Sequence, residues 1–236
     1  MPSRISPARR RKLAPPRNLP VPVDLIFEKL LPLYGPIEWQ PRYNALDELI
    51  FTVLTQHTSD LNAERAFDEL RRRISSWEQV LDADVLDIAD AIQHGGLANQ
   101  KSVRIQKILG EILERHGQLE LEFLKELDVE AARTWLTQLS GVGPKTAAVV
   151  MAFALGMPAM PVDTHIHRVS GRLGLIRKGT TADDAHVVLE KLVDPDDRFP
   201  MHVLLITHGR KICKARRPAC GECPLSASCP SPEKLA

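Results

Sequence analysis

The chain has 236 residues, with 31 Lys and Arg against 30 Asp and Glu, and 44% of its residues are hydrophobic. This composition is ordinary for a globular protein and excludes a wholly disordered chain. No apolar run reaches the roughly 18 residues that a transmembrane helix needs, and the amino terminus lacks the apolar core of a secretory signal, so we expect neither membrane insertion nor export.

Residues 1–22 are predicted to form a flexible basic tail. The first 20 residues carry six Lys and Arg and no acid, and prolines interrupt regular structure. The rest of the chain then has a net charge of −5, so any binding of a polyanion must come from local basic patches or oriented backbone amides. The tail is either simply solvated or a source of non-specific affinity for phosphate.

From Asp24 onward the apolar residues repeat at helical spacing, and no segment alternates as a strand does. Three buried faces are predicted: Ala63, Ala66, Phe67, Leu70 and Ile74 after a cap at Ser59 or Asp60; Ile105, Ile108, Leu109 and Ile112 in a basic helix that begins near Leu97; and Val162, Ile166, Val169 and Leu173. Short Gly, Pro or Asp segments separate the helices. The predicted fold is all-α, with about ten short helices.

Residues 139–145 form a candidate phosphate-binding hairpin. Gly141 and Gly143 flank the apolar Val142, which suits a tight turn that needs positive φ, and Pro144 suits the first position of a helix. The unpaired N–H groups at such a helix start favour one anionic oxygen. An ordinary hairpin of two helices is the alternative. A phosphate loop of an NTPase needs a longer glycine spacing and a preceding strand, so we set it aside.

Lys145 follows this turn, and Asp163 comes eighteen residues later. The helix dipole disfavours the charged form of a lysine near a helix amino terminus, and partial burial would make the amine a better nucleophile. A nearby carboxylate could accept its proton and stabilise positive charge on a sugar. The alternatives are a phosphate or solvent contact for Lys145 and a simple N-cap of a helix over 164–175 for Asp163.

All four cysteines of the chain fall within seventeen residues, which favours a metal centre over scattered disulfides. They are Cys213, Cys220, Cys223 and Cys229. Structural zinc usually takes two close pairs separated by a longer loop, whereas these intervals of six, two and five residues give one compact loop, as a cubane cluster needs. Zinc stays open as the alternative, and a purely structural role is favoured for either metal.

A basic segment overlaps the first cysteine, with no acid between Thr207 and Arg217. It predicts either a local phosphate-binding patch or a solvated face. The basic residues are Arg210, Lys211, Lys214, Arg216 and Arg217.

Together the hairpin, the Lys145–Asp163 spacing and the cysteine pattern resemble the endonuclease III branch of the helix-hairpin-helix DNA glycosylases. The resemblance covers about residues 24–230 and implies two helical domains with DNA in the cleft between them. The implied domains are a six-helix barrel near 37–155 with the helix-hairpin-helix at 136–155, and a discontinuous domain of 23–36 and 156–236 with the iron–sulfur loop at 213–229.

The resemblance also implies roles for single residues. Lys145 would be the nucleophile and Asp163 its carboxylate partner, while the four cysteines would hold a [4Fe–4S] cluster. Gln56 would fill the gap left by a flipped base, and Leu97 would be the wedge that enters the duplex. On their own, Gln56 is as well explained as a surface polar group and Leu97 as a core residue at a helix start.

The implied activity is that of a bifunctional DNA glycosylase and abasic-site lyase. Its substrate would be double-stranded DNA with a damaged base, typically an oxidised pyrimidine, or an abasic site, cleaved on the 3′ side by β-elimination. We expect a monomer that is cytoplasmic, and nucleoid-associated if the source is bacterial. Ala98, Pro144 and His167 depart from the best-known bacterial pattern, which leaves the opposite-base preference and one phosphate contact open.

Three alternatives remain. A monofunctional adenine, uracil or mismatch thymine glycosylase usually has another residue in place of Lys145, and Phe51 stands where adenine glycosylases carry a catalytic acid. A non-catalytic DNA-binding protein would not need Lys145 and Asp163 together. A structural module whose cysteine loop binds zinc would lack the visible absorption of an iron–sulfur cluster.

Overall fold

The computed structural model describes residues 14–231, and within that range it contains eleven α-helices and no strand, which confirms the predicted all-α fold. The α-helices are α1 Val23–Tyr34, α2 Ala45–Thr55, α3 Asp60–Arg73, α4 Trp77–Asp82, α5 Val85–Ala91, α6 Ala98–His116, α7 Val129–Thr137, α8 Pro144–Val149, α9 Thr164–Leu173, α10 Ala182–Leu192 and α11 Arg198–Lys211. Short 3₁₀ turns at Gln93–Gly95, Glu122–Glu126, Pro195–Asp197 and Cys220–Glu222, and a π-helical turn at Val150–Ala154, complete the described elements. None of the described helices has the length and apolar character needed to cross a bilayer.

The chain divides into two compact units. We call Gln40–Met157 the central unit, and Met1–Trp39 with Pro158–Ala236 the terminal unit. The predicted domain limits at 37 and 155 fall within three residues of this division. The terminal unit is therefore assembled from both ends of the chain.

The central unit is organised around α2, which is buried along nearly its whole length. The predicted face of α6 packs in the same core, with Ile105, Ile108 and Ile112 fully buried. The predicted face of α3 is likewise buried from Ala63 to Leu70, and the Ser59 hydroxyl caps this helix by accepting from Asn62 N. Each of these large apolar side chains stabilises the unit by about 1.5–3 kcal/mol relative to an exposed position.

The terminal unit buries the third predicted face, on α9, against α1 and α11. Gly209 of α11 allows a close approach to α9, because a Cβ there would lie 3.1 Å from both His165 Cβ and Val169 Cγ2. Ile166 and Val169 are fully buried at this contact. Packing therefore favours glycine at 209, since its backbone is ordinary helix and an added Cβ would push the two helices apart.

The predicted basic tail lies partly outside the described residues, which begin at residue 14. The predicted end of the tail, at residue 22, is wrong. Val21 is fully buried and Leu19 packs beside it in the core of the terminal unit, and Pro20 lies against Gly174. The two apolar side chains, placed between prolines that hold the chain extended, anchor this segment, so residues 19–22 belong to the folded unit.

Candidate functional site

The hairpin joins α7 to α8 as the sequence predicts. Gly141 has a positive φ of 76°. Val142 is only 5% exposed, so its side chain packs into the core and anchors the turn there. Gly143 caps α8 with an extended φ of −91°, and Pro144 occupies the first helical position. Only Gly141 needs the conformational freedom of glycine, so the prediction of positive φ is right for that glycine alone.

Helix α6 braces this hairpin through polar contacts that sequence periodicity does not reveal. The Glu111 carboxylate accepts from Ser140 N at 2.7 Å, and Arg115 Nη2 donates to Gln138 O at 3.1 Å. Arg104 approaches the turn so closely that a Cβ on Gly141 would lie 2.9 Å from its Nε. These partners are separated by more than twenty residues in sequence, so only the fold brings them together.

Lys145 is exposed as the second residue of α8. Of the two possibilities left open by the sequence, partial burial and contact with solvent, the structure shows the second, and exposure leaves the amine open to a ligand. Within residues 14–231, the backbone N–H groups of Gly141 and Gly143 donate to no protein acceptor. The turn thus offers unpaired N–H donors two and four residues before the exposed Lys145, an arrangement suited to binding an anion.

Asp163 lies in the terminal unit, half-buried at the start of α9. Its Oδ1 accepts from Ile166 N at 2.7 Å, so the N-cap interpretation is correct. The cap uses one carboxylate oxygen and leaves the other for a second role. His167, whose role the sequence left open, donates from Nε2 to Thr180 O at 2.8 Å and so holds the segment after α9.

Leu97 is 48% exposed, so it is not a core residue. It has a left-handed φ of 50° and caps α6 without a side-chain hydrogen bond. A left-handed conformation is costly for a branched residue and is typical of functional positions. The turn is held by Lys101, one helical turn later.

Lys101 is the buried polar residue that sequence reasoning missed. It is only 3% exposed, and its Nζ donates to Leu54 O and Gly95 O, each at 2.7 Å. Burial lowers the pKa of Lys101, and the neighbouring charge of Arg104 lowers that pKa further. One ammonium thus ties the end of α2 to the turn that carries Leu97.

Gln56 caps the end of α2, directly after the segment that Lys101 holds. Its side chain is half-buried, and its Oε1 accepts from Arg104 Nη1 at 2.7 Å. The side chain of Gln56 is therefore held in place by Arg104, which excludes the alternative that Gln56 is a free polar group on the surface. Leu97, Gln56 and the hairpin are all in the central unit, and all are held by α6 or its first turn.

The four cysteines line one cavity in the terminal unit, together with residues of α9 and α11. Burial raises the pKa of the Cys223 thiol, and the thiols of the other three cysteines add to that rise, so the sulfurs lie near one another. Among residues 14–231, however, no group of three or more His, Cys, Asp or Glu is placed to hold a single metal ion. Four cysteine sulfurs that line one cavity match the ligand set of an iron–sulfur cluster.

Two arginines of α9 hold the chain around this cavity. Arg168 donates to Cys213 O at 3.0 Å and to Gly209 O at 2.9 Å. Arg172 donates to Lys214 O at 2.6 Å, and its Nη1 also lies 3.5 Å from Cys213 Sγ. The loop is therefore attached through its carbonyl groups as well as its cysteines.

His208 links α1 to the same cavity. Its Nδ1 lies 3.0 Å from the Tyr34 hydroxyl and its Nε2 lies 3.5 Å from Cys223 Sγ. Burial lowers the pKa of His208 to about 4, so the ring is neutral near pH 7. With Cys223 as a thiolate, which only accepts, the tyrosine donates to Nδ1 and Nε2–H donates to the sulfur.

The predicted basic patch is exposed at every one of its five positions. Lys211 Nζ lies over the Tyr34 ring at 5.4 Å, and Arg217 has a left-handed φ of 51°. The charges are thus displayed on the surface of the loop. Binding of phosphate by this patch stays a prediction.

Comparison with known proteins, by sequence and by structure, supports the family resemblance seen in the sequence. Residues 50–195 match the family model of the HhH-GPD superfamily base excision DNA repair proteins, and residues 213–229 match the iron–sulfur binding domain of endonuclease III. Endonuclease III of Thermotoga maritima is 36% identical over 77% of this chain and 80% of its own length. Endonuclease III of Sulfolobus acidocaldarius is 33% identical over 79% of this chain and 82% of its own length. A solved structure of a trapped endonuclease III–DNA covalent intermediate, an estranged-adenine complex, is 27% identical with a TM-score of 0.75 and covers 96% of each chain.

Proposed function

Because the chain belongs to the HhH-GPD superfamily of base excision DNA repair proteins, we propose that this DNA glycosylase also has abasic-site lyase activity, with Lys145 as its nucleophile. The observation that carries the proposal is an exposed lysine amine in the first turn of α8, directly after a glycine turn with unpaired N–H groups. A phosphate bound at the turn would bring the sugar next to it within reach of the amine.

The chain carries a [4Fe–4S] cluster, as its iron–sulfur binding domain requires. We assign Cys213, Cys220, Cys223 and Cys229 as its ligands, because these four sulfurs line one cavity. The cluster, when bound, supplies a structural cross-link and no chemistry at the sugar. Arg168 and Arg172 then hold the loop carbonyls, so that the basic side chains of the loop face solvent.

The substrate we propose is double-stranded DNA with a damaged base or an abasic site, bound by a monomer. Phosphate would be held by Gly141 and Gly143 of the hairpin and by the basic patch of the iron–sulfur loop. The side chains of Leu97 and Gln56 would enter the duplex and offset part of the unstacking cost of the extruded nucleotide, a few kcal/mol. Both lie in the central unit with the hairpin.

The proposed reaction starts with transfer of a proton from the Lys145 ammonium to the Asp163 carboxylate. The amine nitrogen bonds to C1′ while the glycosidic bond breaks, and the base leaves with that bond's electron pair and a proton. The C1′–O4′ bond then breaks, O4′ takes up a proton that the attached nitrogen loses, and an imine between Lys145 and C1′ remains. Loss of a proton from C2′ then expels the 3′ phosphate, which cuts the strand. The reaction requires that Lys145 and Asp163 reach the same sugar.

Borohydride trapping tests this proposal. Reduction of the imine should link the wild-type chain covalently to duplex DNA with an abasic site, whereas Lys145→Gln should give no adduct. Lys125→Gln is the matched control, because Lys125 is also exposed in the central unit and its loss changes the charge equally. Strand incision by Lys145→Gln at the wild-type rate would overturn the assignment. Base release without strand incision by the wild type would indicate a monofunctional enzyme.

The proposed lesions are oxidised pyrimidines. A panel of duplexes, each with a single lesion, should show faster release of ring-saturated or oxidised pyrimidines than of uracil or of adenine opposite a mismatch. Preferential release of a mismatched thymine or adenine would reject this substrate class and leave the glycosylase assignment unchanged.

A further inference from the structure

Arg104 joins two features of the central unit that the proposed function uses separately. Its Nη1 donates to Gln56 Oε1 at 2.7 Å across 48 residues of sequence. Its Nε lies 2.9 Å from the position that a Cβ of residue 141 would take. The guanidinium therefore occupies space between the end of α2 and the hairpin turn. A side chain at residue 141 would crowd the guanidinium and shift it.

This contact fixes which way the amide of Gln56 faces. A guanidinium has only donors, so the atom of Gln56 that meets it must be the carbonyl oxygen. The amide nitrogen then points away from Arg104, and within residues 14–231 it donates to no protein acceptor. Gln56 thus directs its two N–H donors away from Arg104, while its oxygen is turned toward the guanidinium.

The backbone of Gln56 is held as firmly as its side chain. Lys101 is buried and binds Leu54 O, two residues before Gln56, and the same ammonium binds Gly95 O, two residues before Leu97. Lys101 and Arg104 are neighbours on one face of α6, three residues apart. The helix therefore sets both the position and the orientation of the Gln56 amide before DNA binds.

We propose that Arg104 is a positioning residue that turns Gln56 into a donor-only probe of the base left opposite the extruded nucleotide. This inference rests on the proposed insertion of Gln56 into the duplex. An opposite base with an acceptor at that place gains a hydrogen bond to the amide N–H groups. A base without one leaves the amide donors unpaired in a desolvated site.

The test measures binding, so it is independent of base release and strand cutting. A duplex with a stable tetrahydrofuran abasic analogue is prepared opposite either adenine or a nonpolar shape analogue of adenine, and the dissociation constant is measured for each. The wild type should bind the adenine duplex about fivefold more tightly, the value of one hydrogen bond. The ratio of the two constants removes any general loss of DNA affinity caused by a lost charge.

Three variants separate positioning from charge. Arg104→Met should lower the ratio, because an amide that is no longer held must be ordered before its N–H groups can donate to the base. Arg104→Lys should restore part of the ratio, since an ammonium also donates to Oε1. Gln56→Glu keeps an acceptor for Arg104 but has no donors, so it should also bring the ratio to one or below. Lys107→Met is the control: it removes an exposed positive charge of the same helix, and it should leave the ratio unchanged.

Retention of the cluster's visible absorption and of the thermal transition shows that each variant is folded. A wild-type ratio that survives Arg104→Met overturns the inference and leaves the glycosylase and lyase proposal intact. A wild-type ratio of one overturns it as well. Failure of the wild-type chain to bind either duplex overturns the inference together with the proposed function.

Discussion

The central unit and the iron–sulfur loop are stabilised in different ways. The central unit is held by apolar helix faces, such as that of Ile105, Ile108 and Ile112, which are fully buried. Residues 213–229 contribute one fully buried large apolar side chain, Leu225, and depend on four cysteines and on the carbonyl contacts of Arg168 and Arg172. A region with little apolar surface to bury folds only when covalent or metal bonds supply the stabilisation that apolar burial gives elsewhere. The two regions should therefore respond to different substitutions.

The largest effect is expected from a ligand of the cluster. Cys220→Ala should abolish the cluster's visible absorption and lower the free energy of unfolding of the terminal unit by at least about 4 kcal/mol. In a Trp39→Phe background, which removes the tryptophan of the terminal unit, the fluorescence of Trp77 and Trp135 in the central unit should still report a cooperative transition. Ser228→Ala, an exposed change next to Cys229, is the control. Full absorption after Cys220→Ala would show that this cysteine is not a ligand.

The reverse experiment perturbs the central unit alone. Ile108→Ala removes a fully buried side chain from α6 and should lower the free energy of unfolding seen by tryptophan fluorescence by about 3–4 kcal/mol. The visible absorption should stay at the wild-type level under native conditions. Val103→Ala, on the same helix but 53% exposed, should change stability by less than about 0.5 kcal/mol. Loss of the cluster in the Ile108→Ala chain would show that the two regions do not fold independently.

An intermediate effect is expected where the loop is held by hydrogen bonds. Arg172→Met removes the donors to Lys214 O and Ala215 O and should cost about 2 kcal/mol. Trypsin should then cut faster at the exposed basic residues of the loop, as measured by the rate of fragment appearance. Lys178→Met removes an exposed charge of the same unit and serves as control. Equal cutting rates for both variants would mean that the cysteines alone hold the loop.

The contrast between the regions also explains what the sequence could predict. The faces of α3, α6 and α9 follow from spacing alone, because burial of a helix face leaves a period in the sequence. The cysteine loop was found for a different reason, since four thiols in seventeen residues are rare and chemically specific.

The polar contacts that organise the proposed DNA-binding surface were not predictable in this way. Lys101 and Arg104 look like ordinary charged positions of a basic helix, and their partners at Leu54 and Gln56 are 47 and 48 residues away. Periodicity records which residues are buried and is silent about which polar atoms meet. The sequence left both burial and solvent contact open for Lys145, because exposure at a helix start depends on what packs around it.

The smallest effect distinguishes the two glycines of the hairpin. Gly141→Ala should lower the free energy of unfolding by about 1–2 kcal/mol, because φ is +76° and the new Cβ would meet Arg104. Gly143→Ala should change it by less than about 0.5 kcal/mol, since φ is −91° and no atom lies within 4 Å of the added Cβ. Urea unfolding followed by tryptophan fluorescence measures both.

The same pair of variants locates the phosphate contact. If Gly143 is glycine because a phosphate approaches its backbone, Gly143→Ala should weaken DNA binding several-fold while leaving stability unchanged. Gly141→Ala should instead weaken DNA binding together with stability, and by displacing Arg104 it should reduce the discrimination between adenine and its nonpolar analogue. No atom of the folded protein itself requires glycine at 143, because the space around an added Cβ is open. Unchanged DNA affinity in Gly143→Ala would therefore show that the phosphate does not approach this residue and binds elsewhere on the turn.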